Sequence, residues 1–141
     1  GVYPIEFATG IIGRAPTVVR AAAALNEAGV DLFVAMSLGF EGGALASLSC
    51  GLTARTGTDA LICGTEGQIV VYNFLGTQKT ERFDGAGALA ERYEEPCDNG
   101  FIYEIRHFAD LLRNGDLDSP WIPLRDTLDC ARIFDEARAQ F

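Results

Sequence analysis

From Leu32 the even positions carry large apolar side chains (Leu32, Val34, Met36, Leu38, Phe40). The odd ones are mostly small or polar (Asp31, Ala35, Ser37, Gly39), with Phe33 the exception. After Gly39-Phe40-Glu41-Gly42-Gly43 the alternation resumes, with Ala44, Ala46, Leu48, Cys50 and Leu52 on one face and Ser47, Ser49, Gly51 and Thr53 on the other. Period two on both sides of a glycine-rich turn predicts an antiparallel hairpin with one buried face. A second hairpin is predicted from Ala60–Cys63 and Gln68–Phe74 around Gly64-Thr65-Glu66-Gly67, whose glycines permit a tight turn. Residues 79–83 read as a charged edge strand, and 84–99, rich in Gly and Ala and then in charge, as a long loop.

The rest of the chain follows a helical period. Pro4 to Ile12 reads as a short apolar helix, with proline in its first turn and Gly13 at its end. Residues 17–24 suit a strand, although the alanine-rich end would also suit a helix. Phe101, Ile105, Phe108 and Leu112 form one apolar stripe, closed by Gly115. A last helix is expected from an N-cap at Asp126, burying Leu128, Ala131, Ile133 or Phe134, and Ala137. Strands grouped before helices, without βαβ alternation, predict an α+β fold. It would be a mostly antiparallel open sheet of about five or six strands with helices packed on one face.

Composition supports one core-forming domain over 1–141: 48% of the residues are apolar, and nine Phe, four Tyr and one Trp supply bulk. The formal charge of −9 and the lack of a Lys/Arg run argue against nucleic acid and against an anionic membrane surface. No apolar run is long enough for a membrane span. Cys50, Cys63, Cys97 and Cys130 are widely spaced beside one histidine, His107, so no metal-ligand spacing is present and no metal site is assigned. Scattered thiols suit a reducing cytoplasm. A start at Gly1, with an apolar pattern already running, reads as a chain cut from something longer.

Three motifs invite a chemical reading. Gly85-Ala86-Gly87-Ala88-Leu89-Ala90 fits G-x-G-x-x-A, but that fingerprint needs a buried strand before it and a helix after it. Here a charged segment precedes it and Pro96 cuts off a helix, so a loop is expected and no cofactor-binding residue is assigned. Gly64-Thr65-Glu66-Gly67 has the form of a GXXG backbone clamp, yet joins two strand-like runs, which favours a hairpin turn. His107 lies beside the Phe108 stripe without a nucleophile signature elsewhere, so catalysis by it is disfavoured.

Taken in order, several segments resemble the C-terminal domain of the glucose–fructose oxidoreductase, inositol dehydrogenase and dihydrodiol dehydrogenase (Gfo/Idh/MocA) family. They are Gly1-Val2-Tyr3-Pro4-Ile5 with its helix, Gly29-Val30-Asp31, Gly39 to Ala44, and Gly57 to Ile69. Tyr103-Glu104-Ile105-Arg106-His107-Phe108 follows, then Ser119-Pro120 and Pro123-Leu124. The likeness covers the chain apart from residues 75–99.

The resemblance implies the C-terminal substrate-binding and oligomerisation domain of an enzyme that is an NAD(P)-dependent oxidoreductase, with the N-terminal Rossmann domain absent from this chain. The family's catalytic segment places an acid–base His or Tyr two residues after a glycine, so Tyr3 falls on the catalytic position. Its Tyr form is most similar to the dihydrodiol dehydrogenase branch. The implied reaction is hydride transfer between NAD or NADP and a carbohydrate-like or diol substrate. Polar groups on the sheet and near the start of the Phe101 helix are candidate pocket walls. The isolated chain is expected to bind no cofactor, to be inactive, and to form a homo-oligomer through its sheet face. The rival reading is a non-catalytic small-molecule-binding or assembly domain.

Overall fold

A computed structural model describes residues 1–54 and 56–141. In chain order the elements are α1 (Val2–Ile12), β1 (Val18–Leu25), β2 (Asp31–Gly39), β3 (Leu45–Gly51), β4 (Ala60–Gly64), β5 (Gly67–Tyr72), β6 (Lys79–Asp84), β7 (Leu89–Glu94), α2 (Phe101–Asn114) and α3 (Leu124–Arg138). The fold is α+β and its strand pairing is antiparallel throughout. The described strands number seven and divide into two sheets, ordered β1-β2-β3 and β4-β5-β6-β7. Two compact units contain them: Gly1–Thr56 with Asp116–Phe141, and Gly57–Gly115.

In the first unit the alternation of β2 and β3 becomes a register. Val34 faces Cys50, Met36 faces Leu48 and Leu38 faces Ala46, while Val19 and Ala21 of β1 face Leu38 and Met36. The face so formed receives α1 and α3, and the core comprises Ile5, Val19, Leu38, Phe40, Cys130, Ile133 and Ala137. Full burial of a side chain such as Ile133 is worth about 1.5–3 kcal/mol. α1 ends as predicted on Gly13, whose left-handed backbone lets its N–H donate to Thr9 O at 2.7 Å.

α3 starts differently from the sequence expectation. Asp126 lies in the first turn, not at the N-cap, which is Pro123. Its cap comes from farther back: Asp118 Oδ1 accepts from Leu124 N–H at 2.8 Å. The buried phase is Cys130, Ile133 and Ala137, so the expected burial of Leu128 and Ala131 does not occur; Leu128 is 72% exposed. Two residues before Cys130 lies roughly 200° around the helix, on its far side.

In the second unit β4 and β5 make the expected hairpin. Gly64 pairs with Gly67, which adopts φ 146°. A Cβ at Gly67 would stand 2.1 Å from Phe83 O, so glycine is required there. The segment expected to be an edge strand, β6, is interior: β7 pairs with it, inside the stretch expected to be a loop. Every residue of β7 is exposed, so it carries no alternation of burial to read.

α2 corrects a second expectation. It forms with Gly115 at its end, but its stripe is not buried: Phe101, Ile105, Phe108 and Leu112 are each more than half exposed. Helices packed on a sheet face are α1 and α3 in the first unit; α2 has no buried residue.

Candidate functional site

Tyr3 sits in the first turn of α1. Ile5 and Ala8 turn the helix's apolar side into the core, and Tyr3 lies off that side, 64% exposed. Its phenol is therefore free to meet a molecule arriving from solvent. Beside the same turn lies a cavity of about 290 Å³, whose lining includes Pro4 and Ile5 of α1, Val34 and Met36 of β2, Leu48 and Cys50 of β3, and Phe134 of α3. Tyr3 does not line it. His107 is half-buried on α2, within the other unit.

All four cysteines are free thiols. Burial, and the negative charge of Glu6 behind it, push the Cys130 thiol up. Among the described residues no three His, Cys, Asp or Glu side chains converge to hold a metal.

The second unit holds two polar clusters that sequence reasoning missed. Glu81 on β6 is 5% exposed. It accepts from Tyr72 Oη at 2.6 Å and Arg92 Nε at 2.8 Å, and pairs with Lys79 Nζ at 3.0 Å. The Tyr72 hydrogen bond, then the Lys79 bond, hold its carboxyl down at about 2. The Tyr72 phenol moves up in response, and Lys79 Nζ also lies 4.5 Å from the centre of its ring. In the other cluster Glu95 accepts from Tyr93 and Tyr103. Its hydrogen bond, followed by one to Cys97, pushes Tyr103 up to about 12. The signal available beforehand was opposite charge two residues apart on neighbouring strands, Lys79/Glu81 and Arg92/Glu94. Both clusters fasten strands and loop within the second unit.

The glycine-rich segment that fits G-x-G-x-x-A is not placed to hold a pyrophosphate. Gly85 to Ala88 forms the β6–β7 turn, where Asp84 Oδ1 accepts from Ala86 and Ala88 N–H at 2.9 Å and Gly87 has φ 81°. A pyrophosphate needs such a loop at the start of a helix; this one opens onto a strand.

Residues 1–70 match the family described as the GFO/IDH/MocA C-terminal domain. With the α+β fold this defines the class: over residues 1–70 the chain belongs to that family. More particularly, it is similar along nearly its whole length to trans-1,2-dihydrobenzene-1,2-diol dehydrogenases. It is 31% identical to that of Xenopus laevis over 147 residues, covering 99% of this chain and 44% of the relative. For the Mus musculus enzyme the identity is 28% over 144 residues, covering 98% and 43%.

Among solved structures, the aldose-aldose oxidoreductase of Caulobacter crescentus complexed with glycerol has a TM-score of 0.84 at 20% identity, covering 99% of this chain and 43% of that one. KijD10, a 3-ketoreductase from Actinomadura kijaniata in complex with TDP-benzene and NADP, has a TM-score of 0.76 at 22% identity, covering 99% and 45%. These two share the fold. The chain spans less than half the length of the relatives it matches.

Proposed function

We propose that this chain is the substrate-side and self-associating domain of an NAD(P)-dependent oxidoreductase that acts on a diol or carbohydrate-like substrate, and that Tyr3 is its acid–base residue. The observation that carries the proposal is likeness over 98–99% of the chain to dehydrogenases named for a cyclic diol. A tyrosine that stands exposed in the first turn of α1 supports the role given to it.

The NADP in the KijD10 complex supports a nicotinamide cofactor. The proposal assigns it to a part of the enzyme outside this chain, a reading supported by the glycine-rich β6–β7 turn, which opens onto a strand and not a helix. When bound, it supplies the hydride. Within this chain, Tyr3 Oη–H donates its proton to the oxygen of the carbonyl being reduced and takes it back in the oxidation direction. A neutral phenol is a ready donor. As a base it needs positive charge nearby to stabilise the phenolate.

Self-association through the outward face of β1–β3 is the second part of the reading. Ala22, Ala35, Ser37, Ser47 and Ser49 are exposed on it, and small side chains let two such faces approach closely. An interface of roughly 800 Å² per partner is of standard size. Four free thiols support a cytoplasmic location.

Formation of reduced nicotinamide by an intact protein carrying this chain, with trans-dihydrodiols and aldoses offered in parallel, tests the reading. Turnover of a diol or a sugar is expected; none with either class, with NAD or NADP, contradicts it. The rival, a purely assembling domain, predicts self-association without turnover.

A further inference from the structure

β1 ends the three-stranded sheet, so among the described residues one of its backbone edges is not paired by a strand. Such an edge offers outward N–H and C=O groups to any extended chain. Here Gln140, just after α3, occupies part of it. The Ala21 N–H donates to Gln140 Oε1 at 3.0 Å, and Gln140 Nε2 donates to Val19 O at 3.2 Å. One carboxamide thus takes the two bonds that an antiparallel strand would make on either side of Arg20, at Val19 O and Ala21 N–H. Gln140 Nε2 also donates to Glu136 O at 2.8 Å, tying the side chain to the end of α3. Arg132 Nη2 donates to Pro16 O at 2.9 Å just before the strand.

We propose that Gln140 is a latch closing the outer edge of β1 against strand addition, and that the partner it excludes is β1 of a second copy. The strand suits that partner. Val18–Leu25 reads Val-Val-Arg-Ala-Ala-Ala-Ala-Leu, with one charge and small side chains that pack equally well in an antiparallel copy of themselves. No proline interrupts the strand, and the Arg20 guanidinium, which donates to Val19 O at 2.8 Å, leaves the Ala21 N–H to the glutamine. This surface is distinct from the sheet face proposed for self-association: an edge bonds through backbone groups, a face through side chains.

The test needs no ligand and uses the chain itself, by light scattering across a concentration series. Gln140→Ala removes both bonds and leaves the core untouched. It is expected to strengthen self-association about tenfold or more over the parent and to speed hydrogen exchange at the Ala21 amide. Adding Ala23→Pro, whose lost N–H points outward like that of Ala21, is expected to return association to the parental level, because proline cannot donate at an edge. Association of Gln140→Ala equal to the parent's overturns the proposal. So does enhanced association that survives Ala23→Pro. Face-to-face pairing of the parent would persist in the double variant, so the two surfaces are told apart.

Discussion

Glu81 shows how much one side chain can hold in a strand with few apolar contacts. Its carboxyl titrates at about 2 against an ordinary 4.5, held down first by Tyr72 and then by Lys79. A depressed carboxyl contributes stability that is complete above the unfolded value and is lost as pH falls through the folded one. The second unit should therefore weaken between about 4.5 and about 2. Glu81→Gln should flatten that acid limb while lowering stability at neutral pH; urea midpoints across this range check it, and parallel curves for parent and variant would refute the role. Gly67 is a second demanding residue. Gly67→Ala must relieve a contact with Phe83 O at an unfavourable φ, so a loss of about 1–3 kcal/mol or more is expected in chemical denaturation.

Among the elements, α3 illustrates what a helical pattern does and does not reveal. Cys130, Ile133 and Ala137 form its buried face. Ile133→Ala should cost about 2–5 kcal/mol, whereas Leu128→Ser, on the exposed side, should change stability by less than about 0.5 kcal/mol. Equal losses would contradict the phase. From sequence, the hairpins β2–β3 and β4–β5 were legible because burial on one face imposes period two. The ends of α1 and α2 were legible because Gly13 and Gly115 adopt left-handed backbone. β7 was not, since all its side chains are exposed and cross-strand ion pairs such as Arg82–Glu91 join it to β6. The α2 stripe was legible as a helix, but periodicity does not say whether a stripe is covered. Tyr3 was indicated by the family resemblance alone, whereas its exposure depends on how α1 packs.

For the molecule as a whole, the proposed function rests on the α+β fold and on likeness to diol dehydrogenases along nearly the whole chain. No helix among the described residues is long and apolar enough to cross a membrane. The central claim is that Tyr3 moves the proton in a nicotinamide-dependent reaction, and Tyr3→Phe tests it most directly, because the change deletes one hydroxyl from an exposed position. In an intact protein that joins this chain to a dinucleotide-binding part, turnover should fall roughly 10²–10⁴-fold, the range for a lost acid–base group, with cofactor affinity and melting temperature nearly unchanged. Turnover within a few-fold of the parent would contradict the account.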